Sequence, residues 1–359
     1  MMTPQPRATS NSVRRTRRAF LRDAAVYGSA VALSSIVTQA NQPQSNGAQV
    51  ILDSSAIPRQ IGLGLYTVRD LMTDSTAYRA VLAKVAEIGY KEIEPADRTD
   101  AKGVAYAGLE PKAFRALLDQ NGLSMPSTHS SAIDGPDLEK QLEGFQIMGI
   151  KYTEVIQPSS PHAAASVPAA TSAGPNRGRG SGALPPPPSL SMDAVRKFID
   201  GVNRHAQITK KFGIKMLVRM DIDVFVPLAD HRDMMPYQVI ADNTDPQLVT
   251  MQIDIGWAAV CGQNIVEMFK RNPRHYELWH VKDVVGIGSS TPNTSLSDRR
   301  RASYFVPAGL GQVDLKTLFA NADIAGLKHI GIEQDNAATW GDSLAAARIN
   351  YNNVMKMLS

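Results

Sequence analysis

Cysteine is almost absent: Cys261 is the only one in 359 residues. No internal disulfide can brace such a chain, so the fold must rest on a hydrophobic core, and Cys261 itself reads as a small buried apolar side chain. No G-x-G-x-x-G motif follows the first apolar run, which removes the main support for a dinucleotide-binding open sheet. A glycine-rich phosphate cradle is missing as well, since "GLG" at 309–311 is too short to act as one. Net charge is the last deficit. The formal +4 comes from residues 1–40, which hold six arginines (7, 14, 15, 17, 18 and 22) against one acid, Asp23. Without that segment the balance falls to −1, leaving no electrostatic footprint for nucleic acid.

The basic segment has its own reading. Arg17 and Arg18 precede Phe20 and Leu21, a mildly apolar stretch runs from Ala24 to Val37, and Thr38-Gln39-Ala40 resembles a small-residue cleavage site. That is the pattern of a twin-arginine signal peptide. Its apolar part is shorter than the roughly 20 residues of a bilayer span, so the expectation is a removed leader and no permanent membrane anchor. The twin-arginine translocase is the expected partner during export, and the expected location is periplasmic or secreted. Folding before export suits a metal loaded in the cytoplasm.

After a polar linker at 41–58, apolar runs alternate with helical patterns. "IGLGLYTV" (61–68), "YKEIEP" (90–95), "LSMPSTHS" (123–130) and "IKYTEVI" (150–156) read as strands, separated by helical segments at 77–89, 111–122 and 137–149. Each of these helices ends near Gly89, Gly122 or Gly149, where a left-handed cap favours glycine. A Pro/Ala/Ser-rich insertion at 157–190 then interrupts the rhythm, too poor in apolar surface to offset its chain entropy. Alternation resumes with "IKMLVRMDI" (214–222), "QLVTMQID" (247–254), "HYELWHVKD" (275–283) and "KHIGIEQD" (328–335), with helices between them and a last helix at 343–358. Eight strand–helix units over 59–359 predict an α/β fold, a (β/α)8 TIM barrel.

In such a barrel the chemistry lies at the C-terminal ends of the strands. The apolar runs finish on Tyr66, Glu94, His129, Glu154, Arg219 with Asp221, Asp254, His280 and Glu333. Asp254, His280 and Glu333 fall on consecutive strands, and two carboxylates with an imidazole suit one divalent ion such as Mn²⁺, Mg²⁺, Co²⁺ or Zn²⁺. Lys282, two residues beyond His280, shares its side of the strand and could fix a substrate oxyanion. Asp283 faces the other way, toward a local cap or pair. Tyr66 and Trp257 are aromatic residues near strand ends that could stack on a ligand ring.

Taken together, "LGLYTVRDLM", "DIGWAAVCG", "HVKD", "AGLGQVDLKTLFANADIAG" and "IEQD" resemble the sugar phosphate isomerase/epimerase family, with its xylose isomerase-like TIM barrel. The resemblance spans about 58–358 apart from the insertion. It implies a metal-dependent enzyme for a sugar, polyol or keto-sugar, holding its ion with Glu, Asp, His and Glu from strands five to eight. Asp254, His280 and Glu333 match the last three positions, with Glu333 also an acid or base. The fifth strand departs: "VRMD" at 218–221 stands where relatives carry a "YHNH" run or a glutamate. Arg219 cannot ligate a metal, so the fourth ligand is Asp221, Glu154 or water. The second acid/base is open among Glu154, Asp221 and His129.

Three functions follow as expectations. The first is a sugar isomerase or epimerase working through an enediolate. The second is a lyase or dehydratase of keto-sugars or oxidised glycosides, and the third is a non-catalytic sugar-binding barrel. A metal-dependent apurinic endonuclease is disfavoured by the charge and by the scarcity of histidines on strands. His162, His205, His231, His275 and His329 read as surface or packing residues.

Overall fold

The computed structural model describes residues 57–95, 105–129, 138–154, 189–287 and 295–359. The expected leader (1–40), the linker (41–58) up to residue 56 and the insertion (157–190) up to residue 188, with His162, lie outside the described residues.

Ten strands are described: β1 Ile61–Gly64, β2 Glu92–Glu94, β3 Ser127–Thr128, β4 Tyr152–Glu154, β5 Lys215–Met220, β6 Val249–Asp254, β7 Leu278–Val281, β8 Asp283–Val285, β9 Tyr304–Val306 and β10 His329–Ile332. Eight of them pair in parallel, in the order β2-β1-β10-β7-β6-β5-β4-β3. A parallel bridge from Glu92 to Ser124 joins the two ends of that sheet. The result is the (β/α)8 barrel read from the sequence. Helices Ser75–Ile88, Pro111–Gln120, Leu138–Met148 and Met192–Thr209 stand between the first five strands, and Ser343–Leu358 ends the chain. Gly89, Gly122 and Gly149 close the first three at φ of 124°, 62° and 86°. At the other termini Asp74, Ser191, Asn264, Asp314 and Asp342 accept first-turn amides, caps worth about 1 kcal/mol each. No helix among the described residues is long and apolar enough to cross a membrane.

Strand periodicity sorts the side chains into two sets. Ile61, Leu63, Ile93, Met216, Val218, Met251, Ile253, Trp279, Val281, Ile330 and Ile332 belong to one large buried cluster shared with the helices. The alternate residues face the barrel axis, and only Tyr152, Leu217 and Leu278 form an apolar cluster there. Beyond them the interior is polar. Such a barrel axis carries chemistry at a cost in stability, because each buried polar group needs a partner.

The chain departs from simple alternation after β7. Asp283 begins β8, which pairs antiparallel with β9 outside the barrel, a hairpin the sequence pattern did not show. The Asp283 carboxylate accepts the amides of Val284 (2.8 Å) and Val313 (3.1 Å) on Oδ1, and of Gly309 (2.8 Å) and Gly311 (2.9 Å) on Oδ2. One side chain thus shapes the loop that returns toward β10. Cys261 is half-buried rather than buried, and its thiol is pushed up to about 12 by burial and then by Asp221.

Toward the start of the strands, Glu277 gathers Lys215 (2.9 Å), Lys328 (2.9 Å) and the Tyr152 hydroxyl (2.9 Å). His275 is buried beside this group, and burial, helped by Lys215, lowers it to about 4.

Two measurements follow. Asp283→Ala should cost about 3 kcal/mol in denaturant unfolding, since it removes charge-assisted hydrogen bonds, against about 1 kcal/mol for the capping change Asp342→Ala. Equal losses would contradict the loop-organising role. For His275 the folded state binds its proton only near pH 4, whereas the unfolded chain binds one near 6.5. Stability is therefore lost as pH falls from 6.5 to 4, by about 3 kcal/mol in total. Urea midpoints across that window should flatten in His275→Gln.

Candidate active site

Glu94 is the hub of the polar end of the barrel. It ends β2 with 6% of its surface exposed, and its two oxygens take four donors. Oε1 lies 2.5 Å from His280 Nε2 and 3.1 Å from His129 Nε2. Oε2 accepts Ser127 Oγ at 2.5 Å and Gln252 Nε2 at 2.6 Å. His129 Nε2 is also 2.9 Å from Gln252 Oε1. Burial opposes charge on Glu94, but the two imidazoles outweigh it and hold the carboxyl well below its usual range. Burial opposes charge on His129 too, and Glu94 followed by Glu154 more than restores it, raising the imidazole.

Lys282 is the second centre. Its ammonium, 2% exposed, lies 2.8 Å from Asp254 Oδ2, 2.8 Å from Glu333 Oε1 and 2.8 Å from Asp335 Oδ1. These carboxylates overcome the burial penalty and raise Lys282 well above its ordinary value. At Asp254 burial dominates despite Lys282, lifting the carboxyl to about 6. Glu333 goes the other way: burial is overcome by Lys282, His280 and Arg219, which lower it. Gly64 makes room for Glu333, because a Cβ there would stand 2.7 Å from Oε2. Asp254 also caps helix Ile255–Val260 through Trp257 N at 3.1 Å.

His280 links the two centres. If its Nε2 carries the hydrogen shared with Glu94, Nδ1 is left with a lone pair. That Nδ1 is buried without a hydrogen-bond partner, 3.7 Å from Glu333 Oε2, too far for a hydrogen bond. Ligand atoms of Asp254, His280 and Glu333 lie within 4.8 Å of one another, as do those of Glu94, His129 and His280. The second trio has spent its donors on internal bonds. The first keeps an unused nitrogen lone pair between two carboxylates, so its residues fit a divalent cation.

Charge supports that fit. Glu154, Asp221, Asp254, Glu333 and Asp335 gather around the permanent cations Lys282 and Arg219. Arg219, inward-facing on β5 with 19% of its side chain exposed, lies 3.5 Å from Asp221 Oδ2 and 4.0 Å from Glu333 Oε1. Glu154 ends β4, 3% exposed. Tyr66 sits past β1 in a 3-10 turn, 38% exposed, with the Arg69 guanidinium 3.8 Å over its ring. Arg69 also donates to the Asp335 carbonyl at 2.8 Å. Trp257 packs edge-on against Phe305 at 5.0 Å.

Sequence reasoning missed Ser127, Gln252 and Asp335. Each lies two residues from a singled-out position (His129, Asp254 and Glu333), so strand parity was the available signal. Arg69 carried no such mark.

Comparison with known proteins bears on the fold and the family. Residues 82–349 match the family described as xylose isomerase-like TIM barrel. An inosose dehydratase of Geobacillus kaustophilus (strain HTA426) is 25% identical over 272 residues, covering 72% of this chain and 80% of that protein. A sugar phosphate isomerase/epimerase from Parabacteroides distasonis superposes with a TM-score of 0.56 at 18% identity, over 86% of this chain and 97% of that one. A xylose isomerase-like TIM barrel protein from Mycobacterium smegmatis, solved in complex with magnesium, gives 0.54 at 16% identity over 83% and 96%. The match covers well over half of the sequence, and this chain belongs to the xylose isomerase-like TIM barrel family.

Proposed function

We infer that this chain is a divalent-metal-dependent enzyme that moves a proton next to the carbonyl of a keto-sugar or polyol-derived ketone. The observation that carries the reading is the buried, unpartnered Nδ1 of His280 between the carboxylates of Asp254 and Glu333. Those three residues would hold the ion, with Asp221, Glu154 or water completing its shell. When bound, a divalent ion there polarises a carbonyl and its neighbouring hydroxyl. Mn²⁺, Mg²⁺, Co²⁺ and Zn²⁺ all suit this donor set.

The chain's own groups supply the rest. Glu333 is held ionised by Lys282, His280 and Arg219, so it is placed to accept the α-proton. Glu154, at β4, four strands around the barrel from β10, is the candidate for returning a proton from another direction, as isomerisation or epimerisation requires. Lys282 fixes Asp254, Glu333 and Asp335 in one arrangement, and can share charge with a developing oxyanion. Tyr66 and Trp257 offer ring faces to the sugar. The leader read at 1–40 supports action outside the cytoplasm, after twin-arginine export.

Elimination is a second reading, favoured by His129. Glu94 and Glu154 keep that imidazole inclined to the protonated state, which suits an acid for a departing hydroxyl, and the inosose dehydratase relative is in keeping with it. Proton removal by Glu333 is common to both routes.

Product analysis on a panel of keto-sugars separates them: unchanged mass means isomerisation or epimerisation, and loss of water means dehydration. Glu333→Gln should lower kcat by at least about a hundredfold in either case. Sugar binding with no turnover and no metal dependence would overturn the enzyme reading in favour of a binding barrel. Glu94→Ala, which removes the acceptor behind His280 that His129, Ser127 and Gln252 also share, should weaken Mn²⁺ binding by about 10–100-fold, measured by calorimetry.

A further inference from the structure

Arg219 stands beside the candidate ion site, and its surroundings give that placement a consequence. It faces inward on β5 beside Gln252 of β6, 4.0 Å from Glu333 Oε1 and 3.5 Å from Asp221 Oδ2. Lys282 reaches the same Glu333 oxygen at 2.8 Å, and Asp254 Oδ2 at 2.8 Å. Both carboxylates of the candidate ion site therefore already answer a fixed positive charge. The two cations are not equivalent. Lys282 has Asp335 as a further anchor at 2.8 Å, a contact it can keep while an ion takes the other two carboxylates. A guanidinium is planar, keeps its proton throughout the accessible pH range, and has no lone pair to offer an ion.

We propose that Arg219 keeps the divalent-ion affinity of the free barrel low, so that ion and sugar are taken up together. This rests on the ion site described above. Asp254, His280 and Glu333 offer an ion three donors, and a guanidinium 4.0 Å from Glu333 Oε1 opposes its charge. Substrate oxygens supply the missing donors and spread the charge. Linkage then requires each ligand to raise the affinity for the other by the same factor. The barrel is an ion-and-sugar coincidence site, which suits an enzyme that meets varied ions but should hold one in a reactive open shell only with substrate present.

Calorimetric titration of the full chain with Mn²⁺ alone tests this, with thermal melting to verify folding. Arg219→Gln should tighten Mn²⁺ binding by at least about tenfold. Arg219→Lys, which keeps the charge but not the fork, should stay within about threefold of the parent. Adding Asp254→Ala to Arg219→Gln should abolish the gain. Unchanged or weaker binding in Arg219→Gln, with binding still dependent on Asp254 and His280, would overturn the role of Arg219 and leave the ion site standing. Binding independent of Asp254 and His280 in every variant would remove the ion site itself, and this inference with it.

Discussion

Gathering like charges at one end of a closed barrel is the constraint on which everything else in this structure depends. Glu94, Glu154, Asp221, Asp254, Glu333 and Asp335 share a space largely withdrawn from water, where their mutual repulsion is poorly screened. The chain manages it with two devices. Lys282 binds three of the carboxylates at once, while Glu94 is surrounded by imidazole, amide and hydroxyl donors. Neither device uses the Nδ1 atom of His280. The negative charge still in excess, together with that lone pair, makes this end of the barrel a receptor for a cation.

The same constraint explains the architecture below the site. Apolar residues are turned outward to the helices, where one continuous core forms, while the axis is given to polar groups and a small Tyr152, Leu217 and Leu278 cluster. Stability then rests on the outer layer, so the inner layer is free to carry destabilising charge. Asp283 marks the boundary. It is one residue beyond Lys282 and points away from the axis, so within the run His280 to Asp283 alternate side chains serve chemistry and loop construction.

Much of this was legible in the sequence because strand periodicity is strict. Asp254, His280, Glu333 and Lys282 could be assigned to one rim from parity and position alone, and the eight-unit rhythm gave the barrel. What stayed hidden depends on contacts distant in sequence. Gln252 matters because of Glu94, 158 residues away, and Arg69 because it reaches Asp335, 266 residues away. The β8–β9 hairpin consists of three-residue strands, too short for alternation to register. Before β10 the chain forms two short helices, Leu315–Ala320 and Ala322–Ala325, separated at Asn321, whose side-chain amide turns back to the Thr317 carbonyl at 2.8 Å.

The fifth strand brings a guanidinium and a carboxylate to the rim together, Arg219 lying 3.5 Å from Asp221 Oδ2 and 4.0 Å from Glu333 Oε1. Whether an ion nevertheless occupies the site is the central question. The most direct measurement is anomalous diffraction at the manganese edge from crystals of the protein soaked in Mn²⁺ together with a keto-sugar. The account predicts a single peak within bonding distance of Asp254, His280 Nδ1 and Glu333, with Lys282 released from Asp254 and Glu333 while it keeps Asp335. A map without a peak there, with Lys282 still seated between Asp254 and Glu333, would contradict it.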